Sequence, residues 1–337
     1  MGEAIAHGLA AVGRLALMPE LALDLMLGVR LVARGYSNQT LKLRAQAMAE
    51  GFATEWQRAT PVPSGQQSVA EVRERLAELT EAERLGRPHP ALAVAVRRAA
   101  ASMPSSTLLG MDPRAGPPRH GPTNALWRAW AKALVRAYAA ARAGVILEPD
   151  ARVAELLHWL PALRAHYASP ADGAPLGADD LTLVEQCYAI AHALLVLRDF
   201  EAPRLDRSLV PLLDSERAHL LRALPRLRAA LGSGAADVSG EILDALKALG
   251  VSSREARVAE ASSWLRAEQN ADGSWGVGSL AYHSTITALW GLRDAGAGWA
   301  RLGDASAPRS EHAERLVADG VRALSPSDVA APDCDAQ

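Results

Sequence analysis

Residues Ser252 to Gly296 read SSREARVAEASSWLRAEQNADGSWGVGSLAYHSTITALWGLRDAG. The stretch parses as helix, turn, helix. Ser252 to Gln269 is the first predicted helix. Asn270-Ala271-Asp272-Gly273-Ser274-Trp275-Gly276 is the turn, and Ala281 to Ala295 is the second helix. Ser252-x-x-Glu255 has the form of a capping box, whose hydroxyl and carboxylate satisfy free backbone N–H groups at a helix start. The Asn-Ala-Asp-Gly-Ser run is rich in residues that supply turns and positive φ. Gly296 is the predicted left-handed stop.

Within this stretch, Trp264-Leu265-x-x-x-Gln269-x-x-x-Gly273-x-Trp275 resembles the QW motif of terpene and squalene cyclases, with related repeats in protein prenyltransferase β subunits. Five positions match and Ala261 fits a sixth, while Glu260 stands where a basic residue is usual. The resemblance implies an all-α fold, a single-domain α/α toroid. About six hairpins of inner and outer helices would alternate around a central cavity. It implies a stabilising role for the motif: Gln269 ties a helix end to neighbouring backbone and Trp275 covers it. It does not name a reaction or a substrate.

The rest of the chain is consistent with that fold. Hydrophobic residues make up 49% of the chain, yet it holds only two Phe, which fits a helical core rich in Ala and Leu. The net charge of −2 makes no case for nucleic acid or anionic membrane as partner. Cys187 and Cys334 do not make a disulfide framework. Near the N-terminus, Glu3, Arg14, Glu20, Asp24 and Arg30 interrupt the apolar stretches. No run approaches the ~18 apolar residues of a membrane span, and no signal peptide pattern is seen. A cytoplasmic protein is the expectation; the oligomeric state is left open.

Taken in order, residues 2–59 read as two or three helices broken near Pro19 and around Gly35 to Asn38. Ser68-x-x-Glu71 is a second capping box, opening a helix to Leu85. Pro90 to Ser102 is a short helix that completes an N-terminal part, 1–103. Residues 104–122, with Pro104, Pro113, Gly116, Pro117, Pro118, Gly121 and Pro122, read as a lid or linker. The remaining hairpins occupy 123–324. Their helices run from Thr123 or Asn124 to Ala143, Asp150 to His166, Asp179/Asp180 to Asp199, Asp206 to Leu231, Asp237 to Leu249, and Arg309 to Leu324, besides the hairpin above. Residues 325–337 read as a disordered tail. About twelve helices and no strand pattern result.

Three helices carry an unusual face. At 100° per residue, Glu185, Tyr188, His192 and Asp199 fall together, as do Asp237, Glu241 and Asp244, and as do His283, Thr287, Trp290 and Asp294. The opposite sides are apolar. Such faces suit a semi-buried cavity, and as inner helices of a ring they would meet at its centre, where titratable groups shift. This makes Glu185, Tyr188 and Glu241 candidate catalytic residues. His192, Glu241 and His283 are a candidate metal set, for zinc or non-haem iron. Asp237, Thr287 and Trp290 would line the cavity. Plainer readings stand beside these. Asp237 can be an N-cap, and Asp244 with Lys247 a solvated pair. Asp199 and Asp294 can pair with Arg198 or Arg293, and Trp290 can be packing.

Glu185-x-Cys187-Tyr188 with the later Tyr282-His283 is also similar to the zinc-ligand pattern of protein prenyltransferase β subunits, which makes Cys187 an alternative ligand; a buried structural cysteine is the plainer reading. The Asp-x-Asp-Asp motif of squalene-type cyclases and the Asp-Asp-x-x-Asp magnesium motif are absent from the sequence. So is a Gly-rich phosphate loop. Arg119-His120-Gly121 lacks the cysteine of a lanthionine cyclase site. Two functions follow. One is a divergent cyclase- or prenyltransferase-like enzyme, acting on an apolar or peptidic substrate in a central cavity. It would work in natural-product biosynthesis, with or without a divalent metal. The other is a non-catalytic toroidal binding module for a peptide or lipid.

Overall fold

The computed structural model describes residues 2–14, 21–118, 122–169, 177–202, 204–278, 281–293 and 310–325. Among them are fifteen α-helices and no strand. They are α1 (Gly2–Gly13), α2 (Ala22–Gly35), α3 (Gln39–Ala59), α4 (Val69–Arg84), α5 (Pro90–Ala101), α6 (Ser105–Leu109), α7 (Asn124–Arg142) and α8 (Val153–Leu157). There follow α9 (Trp159–Arg164), α10 (Ala178–Leu197), α11 (Asp214–Leu231), α12 (Ala236–Ala248), α13 (Ala256–Ala267), α14 (Ala281–Gly291) and α15 (Glu311–Leu324).

Six of them close a ring. α2 packs on α4, α4 on α7, α7 on α10, α10 on α12, α12 on α14, and α14 returns to α2. The helices that intervene in sequence (α3, α5 and α6, α8 and α9, α11, α13) pack outside, and α1 lies outside against α14 and α3. This alternation is an α/α toroid. An inner helix has neighbours on every side, so its sequence carries little wet face. All thirteen residues of α12 but Asp237 are buried. The stretch Asp180–Leu197 of α10 has the length and mean hydropathy, 1.3, of a membrane span; 67% of it is buried, as an inner position requires.

The QW-like turn locks the two ends of the chain together. Gln269 Nε2 donates to the carbonyl of Gly273 at 2.9 Å and to that of Ala4, in α1, at 2.8 Å. The buried Trp275 donates from Nε1 to Leu265 O at 2.6 Å. Gly273 has φ +88°, and a Cβ there would lie 2.6 Å from His7 O, so the close approach of α1 needs glycine. The Ser68 capping box forms as predicted. The Ser252 box does not: α13 starts four residues later, and Glu255 is its N-cap, accepting from Val258 N at 2.9 Å. Ser252 instead closes a local turn to Arg254 N. The predicted lid is also corrected in part. Residues 105–109 form α6, with Leu108 and Leu109 buried and their carbonyls held by Arg73 and Arg136.

Where the inner helices end, a buried charge network fills the ring. Arg30 of α2 bonds Glu81 of α4 at 2.7 Å and Phe200 O at 3.1 Å. Arg84 pairs with Glu81 at 2.5 Å and donates to the Asp199 carbonyl at 2.8 Å. Tyr138 of α7 donates to the Asp199 carboxylate at 2.7 Å. Arg198 and Arg293 both pair with Asp244 of α12. Lys247 donates to the carbonyls of Gly291 and Arg293, and Arg293 to Leu31 O. These cations answer the free carbonyls of helix C-termini, where the dipole favours positive charge. The expected Arg198–Asp199 pair and the solvated Asp244–Lys247 pair are therefore both replaced. Asp244 and Lys247 are 2% and 4% exposed, and each faces the ring's interior network.

Candidate functional site

At the other end, where α2, α12 and α14 begin, a second polar cluster forms around Asp237. Asp237 lies in the first turn of α12, but Ala235 is the capping residue, so the N-cap expectation fails. Its carboxylate is turned inward instead. Oδ1 accepts from His283 Nδ1 at 2.9 Å and from Thr287 Oγ1 at 2.8 Å; Oδ2 accepts from the Tyr188 hydroxyl at 2.6 Å. Three inner helices, α10, α12 and α14, thus meet at one carboxylate.

Two glycines make this meeting possible. A Cβ on Gly240 would lie 2.3 Å from Thr287 O, and one on Gly291 would lie 2.8 Å from the Gly240 Cα. The backbones of α12 and α14 therefore touch, which puts His283 and Thr287 within reach of Asp237. Helix-interior glycine is costly by ~1 kcal/mol, so close packing is what it supports here.

Glu241 follows Asp237 by one helical turn and is 4% exposed. Its Oε2 is buried with no hydrogen-bond partner. Burial, then the negative charges of Asp237 and Asp24, push its carboxyl up to about 8. Burial works against charge on His283, yet the bond and charge of Asp237, with Glu241 and Asp24, raise its imidazole to about 9. Burial would also raise Asp237, but His283, Tyr188 and Thr287 hold it below the usual carboxylate range. The Tyr188 phenol is pushed far up by burial and by the charges of Asp237 and Glu241, so it stays a donor. His192, one turn beyond Tyr188 on α10, is half-buried with an unbonded Nδ1. Burial and the His283 charge lower it to about 4, leaving it neutral.

Of the residues singled out in sequence, Tyr188, Asp237, Glu241, His283 and Thr287 come together here. Among the described residues, Asp237, Glu241 and His283 form a set whose potential ligand atoms lie within 4.8 Å of one another. His192 and Cys187 do not belong to it; Asp237 takes the place expected of His192. Cys187 is buried and free, and burial with the Glu241 charge pushes its thiol up, away from a thiolate. Glu185 leaves the cluster for Arg128 of α7, which grips it from Nε at 3.1 Å to each oxygen. Trp290 packs between helices, donating to Gly28 O of α2 at 2.9 Å. Asp294 and Arg119 to Gly121 lie outside the described residues.

One residue at this end carried no signal in the sequence. Asp24, in the first turn of α2, accepts from the Tyr282 hydroxyl at 3.1 Å. The partners are 258 positions apart, so only ring closure brings them together.

Compared with known families, residues 236–330 match the squalene-hopene cyclase C-terminal domain. The match spans α12 to α15 and includes Asp237, Glu241 and His283. No curated protein and no solved structure matches the chain.

Proposed function

That match places the chain in the terpene cyclase and prenyltransferase-like superfamily, and from this premise we propose that it is an enzyme working on an apolar or peptidic substrate inside the ring, with Glu241 as its acid. Natural-product biosynthesis is the setting such a divergent member suits. The observation that carries the reading is Glu241 itself: a carboxyl group sealed in an inner helix, one oxygen unbonded, beside an ion pair.

Each neighbour then has a task. With its carboxyl raised to about 8, Glu241 keeps its proton at neutral pH and can donate it to an alkene or a heteroatom. The imidazolium of His283 stabilises the carboxylate left behind. Asp237 holds that imidazolium in place, and Tyr188 and Thr287 hold Asp237. His192, neutral and with a free ring nitrogen, is the complementary base. Environments that drive paired titratable groups apart assign acid and base roles.

The same end supports a metal-dependent variant of this reading. Two carboxylates and an imidazole within 4.8 Å, with one buried oxygen unbonded, are chemically suited to zinc or iron. Asp237, Glu241 and His283 would hold the ion. When bound, it would supply a Lewis acid to polarise the substrate or activate a water.

The test uses acyclic polyenes in deuterated water, with metal content measured on the same protein. The expected result is deuterium in a rearranged product from the native chain, lost in Glu241→Gln with its helical circular dichroism intact. A metal-free native protein that binds the polyenes but leaves them unchanged would point to the binding-module reading and end this one.

A further inference from the structure

Two carboxyl groups at this end have acceptor positions open. Asp237 already accepts three donors, two at Oδ1 and one at Oδ2. Glu241 Oε2 has no partner. Asp24 makes a single hydrogen bond among the described residues, from Tyr282. Tyr282 directly precedes His283 on α14, and α2 is the ring neighbour of α14, so Asp24 faces the cluster from the adjacent wall. Its charge bears on both Glu241 and His283.

The charges do not balance. Even with Glu241 protonated, Asp24 and Asp237 are set against one imidazole partner, His283; no lysine or arginine is among the groups whose charge bears on Glu241. The N-termini of α2 and α12 offset part of this, but they offer no donor to the unbonded oxygen. A ligand that brings positive charge and N–H donors would complete both acceptors.

Resting on the reading of this end as the substrate site, we propose that the substrate carries an ammonium group that docks between Glu241 Oε2 and Asp24. An ammonium donates to Glu241 and Asp24 without disturbing Asp237. The ammonium end sits in the charged cluster, and the apolar remainder lies along the ring's interior.

The experiment is calorimetric titration of the full chain, freed of metal with EDTA, with n-octylamine, n-octanol and octanoate. The expected order is amine tightest, by at least about tenfold over the alcohol, with octanoate weakest. In Asp24→Asn and in Glu241→Gln the amine should fall toward parity with octanol. Amine binding no tighter than alcohol, or a preference that survives both substitutions, overturns the proposal. Deuterium incorporation by the native chain without an amine preference overturns the ammonium group alone and leaves the acid chemistry standing.

Discussion

Where the inner helices finish, Arg30, Arg84, Arg198, Lys247 and Arg293 each answer a carboxylate or a helix-terminal carbonyl. Where α2, α12 and α14 begin, Glu241 keeps a buried oxygen with no partner and a proton it should have lost. Both ends follow the same electrostatic logic, cations at C-termini and carboxylates at N-termini. They differ in what is left open: at the first end nitrogens of Arg30 and Arg198 lack a hydrogen-bond partner, at the second the carboxyl oxygen of Glu241 does. The first end is a plug, in which charge is spent on holding six helices together. The second holds charge in reserve, and reserve of that kind is what a reacting site needs.

The largest expected effect comes from opening the plug. Asp244→Ala leaves Arg198 and Arg293 buried without their shared carboxylate. Breaking a buried pair from one side costs ~3–5 kcal/mol, so urea unfolding should show a midpoint shift of that size. A loss under 1 kcal/mol would mean that the network is not what closes the ring. The next effect concerns how the two ends are joined. Gly240→Val drives a side chain into the Thr287 backbone and should destabilise by ~1–3 kcal/mol. Gly234→Ala, six residues earlier with open space around it, is the control and should change little. If both behave alike, the α12–α14 contact does not position the cluster.

How far these differences could be read from sequence varies with the kind of signal. The Gln269 and Trp275 contacts were legible because a spaced motif encodes them locally, and so was the Ser68 box. The polar faces of α10, α12 and α14 were legible as periodicity, and five of their residues do converge. The failures share a cause. Asp244 with Lys247 reads as a solvated pair only if α12 has a wet side, and a ring with neighbours all round removes it. Gly240 looks like a helix weakness until α14 lies against it. Asp24 and Tyr282 are joined by closure of the ring, which no local pattern records. Ser252 lost its helix because Glu255, three residues further on, takes the N-cap place and accepts from Val258 N.

The pH dependence of stability sharpens the contrast further. Glu241 has an ordinary value of 4.5 and a folded value of about 8. A raised folded value means that its contribution is fully present below pH 4.5 and is lost as pH rises through 8. His283, raised from 6.5 to about 9, contributes fully below 6.5 and loses its contribution as pH rises through 9. His192 and His219, both lowered to about 4, work the other way, gaining stability as pH rises toward 6.5. The Glu241 contribution is therefore read as the difference in stability between the native chain and Glu241→Gln. That difference should shrink as pH rises from 4.5 to 8, by at most ~1.4 kcal/mol per pH unit. Denaturation midpoints measured across this range decide it. A difference that stays constant between 4.5 and 8 would mean that Glu241 ionises normally and holds no proton to give.

The smallest effect tests whether the cluster is organised around Asp237 at all. Tyr188→Phe removes one hydroxyl and leaves the ring's packing nearly unchanged. The lost bond, at 2.6 Å to a carboxylate, should cost about 1 kcal/mol in stability. Asp237 should titrate higher, since the phenol is one of the groups that hold it down. With its anion weakened, His283 should titrate lower, which NMR of the imidazole reads directly. Substituting Trp290 with Phe is the matched comparison: it removes the bond to Gly28 at the same ring seam but away from Asp237. It should cost a similar amount of stability and leave the imidazole where it was. If Tyr188→Phe moves the midpoint but not the His283 titration, the hydroxyl is a structural strut, and the site end differs from the plug less than its geometry implies.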